Sequence, residues 1–179
     1  HTASPTNRYA LTMLLIWLVS ISAQLPGLNS NGQAESYSPL IQALVDGNVP
    51  KAEELIAAGA DVAALDTITP LYAAQEYVQK SKQRHMIMRK LLKAGAPVDQ
   101  PTQDNTTTLM LAAYHGDKRS VQLLLDEGAD PLLTNHMEAN AISAARTGNH
   151  HELAEQLLEH IGESGARHHH AHSAEKSEL

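Results

Sequence analysis

Apolar and polar residues follow one another with a helical period along most of this chain, and the pattern recurs. The stretch Leu55-Ile56-Ala57-Ala58-Gly59-Ala60-Asp61-Val62 returns as Leu91-Leu92-Lys93-Ala94-Gly95-Ala96-Pro97-Val98. It returns again as Leu124-Leu125-Asp126-Glu127-Gly128-Ala129-Asp130-Pro131. Each copy reads as the last turn of an amphipathic helix, stopped by a glycine that takes the left-handed backbone at little cost. A second phrase precedes each copy: Ser38-Pro39-Leu40, Thr69-Pro70-Leu71 and Thr107-Thr108-Leu109. Self-similarity at a period of roughly 30 to 40 residues marks a chain built of stacked repeats.

Within each repeat the pattern predicts two helices. In the first, from about Tyr37, Pro39 sits in an opening turn, where proline is welcome, and Leu40, Ile41, Ala43 and Leu44 form an apolar face. Asp46-Gly47-Asn48 turns the chain, and Pro50 opens a second helix over Lys51 to Ala58 with Ala52, Leu55 and Ile56 inward. The third repeat is the most regular: Leu109, Leu111, Ala112 and Ala113, a His115-Gly116-Asp117 turn, then Val121, Leu123, Leu124 and Leu125. The fourth, residues 132–161, is degenerate, with Ala141, Ala144 and Ala145 in place of larger residues and a turn at Arg146-Thr147-Gly148-Asn149. Its last helix, His151 to His160, carries Glu152, Glu155, Gln156 and Glu159, the polar face expected of a terminal cap.

The second repeat breaks the register. Leu71 and Gly95 stand five positions further apart than Leu40 and Gly59, or Leu109 and Gly128. The extra residues fall near Tyr77 to His85 and are expected to lengthen the first helix or bulge the turn. The same region holds Lys80, Lys82, Arg84, Arg89, Lys90 and Lys93 with no acid among them. As a solvated helix face it needs no partner; as an electropositive patch it suits an acidic one.

The ends differ in pattern from the middle. In residues 1–23, Arg8 is the only charged residue before an apolar run from Ala10 to Val19 that continues to Ile21, followed by Ser22 and Ala23. The run is shorter than the roughly 20 residues that span a bilayer, and small residues follow it, so an export signal cleaved after Ala23 is expected. An uncleaved anchor helix is the rival reading. Residues 24–36, rich in Gly, Asn, Ser and Gln, read as a flexible linker. Residues 162–179, polar and rich in His, are expected to be disordered.

Composition narrows the chemistry. Phenylalanine is absent and aromatics are 3%, so the core is aliphatic. A formal charge of −7 argues against general nucleic-acid binding. The absence of cysteine excludes a disulfide framework, a thiolate nucleophile and Cys-ligated zinc. No Gly-x-Ser-x-Gly elbow, His-Glu-x-x-His pair or Gly-rich phosphate loop occurs, so catalysis is not expected.

The phrases Thr69-Pro70-Leu71-Tyr72-Ala73-Ala74 and Thr107-Thr108-Leu109-Met110-Leu111-Ala112-Ala113-Tyr114-His115-Gly116-Asp117, with the Leu-Leu-x-x-Gly-Ala-Asp endings, resemble ankyrin repeats over residues 37–161. The resemblance implies an all-α solenoid of about four helix-turn-helix repeats with short finger loops. It departs from the family where the histidine after Thr-Pro-Leu is replaced by Ile41, Tyr72, Met110 and Ile142, which leaves the loops without their usual bracing. The resemblance further implies protein binding rather than catalysis, on a concave side lined by first helices and fingers. By position, Val45 and Asp46, Gln75 and Glu76, Tyr114 and His115, and Arg146 and Thr147 face that side. Finger tips offer Thr67, Ile68, Gln103, Asn105, His136, Met137 and Glu138. Tyr114 is the first choice of anchor, because exposed aromatics carry disproportionate binding energy; a packing role is its alternative.

The expectation is thus a monomeric module, exported to the periplasm or secreted, that binds another protein without cofactor or metal, as an accessory, protective or immunity protein. It would bind no nucleic acid and keep no stable membrane insertion after signal cleavage. Two other readings stay open. His168-His169-His170-Ala171-His172, with His150, His151 and His160, offers imidazoles to Zn, Cu or Ni, although a flexible tail fixes no geometry. Lys176-Ser177-Glu178-Leu179 is one residue from an endoplasmic-reticulum retention signal, and Asn105-Thr106-Thr107 is a glycosylation sequon.

Overall fold

The computed structural model describes residues 37–174, with side chains through Gly162. The expected signal and linker, residues 1–36, lie outside them. Eight helices appear among the described residues, and no strand: α1 (Pro39–Val45), α2 (Val49–Ala57), α3 (Pro70–Tyr77), α4 (Ser81–Lys93), α5 (Thr108–Tyr114), α6 (Lys118–Asp126), α7 (Ala141–Thr147) and α8 (His151–Ala174). The helices form four pairs. The first helices α1, α3, α5 and α7 pack on one another in an inner row, and α2, α4 and α6 pack in an outer row. Among the described residues no helix is long and apolar enough to cross a membrane.

Local chemistry sets the helix ends. The side chains of Ser38, Thr69, Thr107 and Asn140 accept from the backbone amides of Ile41, Tyr72, Met110 and Ser143, capping each inner helix at the same register. Such a cap contributes about 1 kcal/mol. The fourth cap corrects the sequence register: the residue matching Ile41, Tyr72 and Met110 is Ser143, not Ile142. Ser143 Oγ in turn accepts from the Asn140 amide at 2.9 Å, closing a capping box. At the other end, Gly59, Gly95 and Gly128 have φ of 82°, 96° and 87° and terminate α2, α4 and α6. The following alanine amides, Ala60, Ala96 and Ala129, donate to Leu55, Leu91 and Leu124, as in a Schellman ending.

The recurring leucines occupy equivalent buried places. Leu40, Leu71 and Leu109 are 1%, 2% and 0% exposed, and Ile142 stands in the fourth layer at 7%. Each fully buried aliphatic side chain adds about 1.5–3 kcal/mol of transfer energy. The alanines beside them, Ala74, Ala112 and Ala145, are fully buried and let successive inner helices approach closely.

Of the five extra residues of the second repeat, one lengthens the first helix, as expected, and four go elsewhere. The turn Val78–Lys80 has three residues, like the turns of the other repeats. α3 has eight residues against seven in α1, α5 and α7, and α4 has thirteen against nine in α2 and α6. Four of the five thus extend the outer helix by one turn at its start. This turn lacks the left-handed residue found at Gly47, Gly116 and Asn149 in the others. Arg84 closes it instead: Nε donates to the Val78 carbonyl at 2.9 Å and Nη2 to that of Gln79 at 3.3 Å. Its Nη1 donates to Asp117 Oδ2 at 2.6 Å in the turn of the third repeat.

One further expectation changes. The finger loops are laced to one another without the family histidine. Gln100 Nε2 donates to the Ala63 carbonyl, Gln103 Nε2 to that of Asp66, the Asp130 amide to Asp99, and the His136 amide to the Asp104 carbonyl. The backbone of residues 162–174 continues α8. No proline interrupts that stretch, and its two glycines, Gly162 and Gly165, each weaken a helix by only about 1 kcal/mol.

Candidate functional site

The candidate face consists of the C-terminal ends of the inner helices and the three fingers. Tyr114 ends α5 and is 38% exposed, with its ring centroid 5.5 Å from that of His115. His115 caps the helix, and its Nε2 lies 3.8 Å from Glu76 Oε2 on the preceding inner helix. Tyr114, His115 and Glu76 are therefore brought together across two repeats. Asp46 is exposed at the end of α1 and accepts from Gln42 Nε2 at 2.9 Å.

Gln75 does not belong to this face. It is 1% exposed, and neither polar atom of its amide has a hydrogen-bond partner among the described residues. Counting from the helix start, Gln75 matches Leu44 and Ala113, both buried; Glu76 matches Val45 and Tyr114, and the half-buried Tyr77 matches Asp46 and His115. Arg146 has the register of Gln75 but is exposed, because no further helix pair covers α7 among the described residues. At the end of this last inner helix, the Arg146 Nη2 lies 3.5 Å from Glu155 Oε1 on α8.

The fingers present apolar side chains to solvent. His136 and Met137 lie at the tip of the third finger, Met137 being 64% exposed; Asn135 Oδ1 accepts from the Met137 and Ala139 amides at 3.0 Å and shapes that tip. Leu132 and Leu133 in the same finger, and Leu65 in the first, are also exposed. Sequence reasoning passed over these leucines, although the Leu132-Leu133 pair falls outside the helical period, directly after a helix-ending glycine phrase. Of the seven large apolar side chains exposed among the described residues, four sit on fingers, one on the first and three on the third.

Charge on the fingers is held by the loops themselves. Burial pushes the Asp104 carboxyl up, but the Thr102 and Thr106 hydroxyls and loop amides outweigh it and leave the group below the usual carboxylate range. Burial raises the Asp99 carboxyl despite the Asp130 amide that donates to it. Burial, with the nearby charges of Glu76 and Asp104, also raises the Tyr72 phenol, so its hydroxyl stays protonated. Among the described residues no three His, Cys, Asp or Glu side chains converge as a metal ligand set. The side chains of His168–His172 lie outside the described ones. A groove of about 630 Å³ opens between α6 and α8, lined by Val121, Leu125, Leu153, Leu157, Glu159 and His160 among others.

Comparison with known proteins matches this architecture. A family model described as "Ankyrin repeats (3 copies)" matches residues 40–135 and 78–170. The ankyrin repeat and KH domain-containing protein mask-1 of Caenorhabditis elegans is 29% identical over 124 residues, covering 68% of this chain and 5% of that protein. The nuclear factor NF-kappa-B p105 subunit of Mus musculus is 38% identical over 104 residues, covering 56% of this chain and 10% of that protein. The chain thus spans a tenth or less of the length of these curated relatives.

Proposed function

This chain belongs to the ankyrin-repeat family, and from that premise we propose that it is a protein-binding module that holds a partner protein on the face of inner-helix ends and fingers. The observation that carries the reading is the exposed apolar set on the fingers, Leu65, Leu132, Leu133 and Met137, with Tyr114 at the end of an inner helix. Fixed, solvent-exposed apolar groups rimmed by polar ones are what a protein surface docks against. Tyr114, His115 and Glu76 supply the polar and aromatic contacts, and Asp46 extends the face toward the first repeat. The family works by binding, and the chain acts as a binder rather than a catalyst.

The finer role rests on sequence. The apolar run of residues 10–21 behind Arg8, followed by small residues, supports export to the periplasm or beyond. There the module serves as an accessory, protective or immunity partner of another protein, and works as a monomer. Site-specific photocrosslinking in the native host tests both parts. A crosslinker at Met137 is expected to capture one defined protein in the exported fraction, while one at Lys51 on α2 captures none. Equal capture from both positions, or capture in the cytoplasmic fraction alone, overturns the reading.

A further inference from the structure

The outer side of α4 carries cations that the fold leaves unneutralised. Of the six in residues 80–93, Arg84 is engaged by Asp117 at 2.6 Å, and Lys90 Nζ reaches Glu53 Oε1 on α2 at 2.9 Å. Lys80, Lys82, Arg89 and Lys93 are exposed and have no carboxylate partner among the described residues. Lys82, Met86, Arg89 and Lys93 follow one another at helical spacing, so they share one side of the helix. Met86, in their midst, is 50% exposed.

The positive region continues onto α6. His85 lies between the two helices; burial lowers its pKa, and the charges of Arg89 and Arg119 lower it further, against a smaller opposite pull from Asp117. Arg89 Nη2 approaches His85 Nε2 at 3.3 Å, and His85 Nδ1 has no hydrogen-bond partner among the described residues. Four residues of the inserted stretch, moreover, lengthen α4 at its start, so the stripe is one turn longer than a helix of the α2 or α6 length would carry.

We propose that this stripe on α4 is a second docking surface, separate from the finger face, and that it takes an acidic segment of a partner protein carrying an apolar residue opposite Met86. Charge and extent select the partner. From Lys82 to Lys93 the stripe measures about 16 Å along the helix at a rise of 1.5 Å per residue, and across the outer row it extends toward Arg119 on α6. The rest of the chain carries −13 against the −7 of the whole. The net negative charge of the remainder disfavours a broad anionic surface, such as a lipid bilayer or a nucleic-acid duplex. A narrow acidic segment meets the stripe alone. Nor does α4 have an apolar face to insert into lipid, since Ile87, Met88 and Leu91 are buried in the core.

Fluorescence anisotropy on the full chain tests the proposal, with a labelled oligoglutamate peptide bearing one central leucine as probe. Binding is expected at low ionic strength and is expected to weaken toward about 0.15 M salt. Lys82→Glu with Arg89→Glu is expected to lower affinity at least about tenfold, and Lys82→Gln with Arg89→Gln serves if charge reversal disturbs folding. Lys51→Glu with Arg146→Glu, which changes net charge equally, is expected to leave affinity within about twofold. Tyr114→Ala is expected to leave it unchanged, which separates this surface from the finger face. No peptide binding at low salt, an equal loss in the control pair, or tighter binding to phosphatidylglycerol vesicles or a DNA duplex overturns it.

Discussion

Arg84 and Asp117 meet at 2.6 Å across the boundary between the second and third repeats, and their side chains are 17% and 12% exposed. Arg84 simultaneously closes the turn after α3, and Asp117 caps α6 by accepting from the Ser120 amide at 3.2 Å and hydroxyl at 2.9 Å. One contact therefore ties a turn, a helix start and two layers together.

Removing the arginine leaves a largely buried carboxylate and two turn carbonyls short of a donor. Arg84→Ala is expected to cost about 2–4 kcal/mol in urea unfolding. Arg84→Lys should recover little of it, because an ammonium cannot reproduce the fork that serves Val78, Gln79 and Asp117 together. The double variant with Asp117→Ala should lose less than the sum of the single losses.

The same carboxylate sets a pH dependence. Burial acts to raise the Asp117 pKa, but the Ser120 bonds and Arg84 outweigh it and hold it below the usual carboxylate range. A group depressed in the folded state stabilises above its unfolded pKa of about 3.9 and loses that contribution as pH falls through the folded value. Asp104, also depressed, acts in the same direction, and Asp99, raised by burial, acts in the opposite one. Asp117→Asn should therefore be less stable than wild type at neutral pH, and the gap should narrow on acidification below about pH 4. Thermal melts across that range measure it.

Glycine at position 148 is required by space rather than by backbone angle. Its φ is −74°, yet a Cβ there would collide with the Tyr114 carbonyl of the preceding repeat. Gly47 has a φ of +66° with open space around it. Gly47→Ala should cost about 1 kcal/mol from strain. Gly148→Ala should cost more, about 2–3 kcal/mol, because backbone must move. Melting both variants under one condition decides the order.

Gln75 offers the reverse case. Its amide is buried without a hydrogen-bond partner among the described residues, an arrangement that costs about 1–3 kcal/mol. Gln75→Met keeps the length and removes the unpaired polar atoms, so the melting temperature should rise. A fall would place an essential polar contact at this amide.

Tyr114 tests the finger face itself. At 38% exposure its loss should spare stability while weakening partner binding by about tenfold or more. A large drop in melting temperature for Tyr114→Ala would make it a packing residue.

Much of this was legible in the chain. The glycine endings and the Leu40, Leu71 and Leu109 phrases locate the layers because helix termination and burial are local, repeated demands. What misled was the second repeat. Counting back from an assumed turn puts Gln75 on the surface; counting forward from Thr69 puts it at the buried place of Ala113. The destination of the five extra residues was hidden too, since it depends on Arg84 finding Asp117 in the next layer, a contact between residues 33 positions apart. The lacing of the fingers was unreadable for the same reason: Gln100 and Gln103 reach backbone carbonyls, which no side-chain pattern records.

A stack whose layers touch only their immediate neighbours separates at its weakest seam, and the rivet from α4 to the start of α6 lies in its midsection. The helices of the second and third repeats pack on one another less extensively than those at the flanking seams, so without the rivet the stack should part there first under heat or tension. The lengthened α4, which supplies that rivet, would then decide whether the two halves of the molecule hold together.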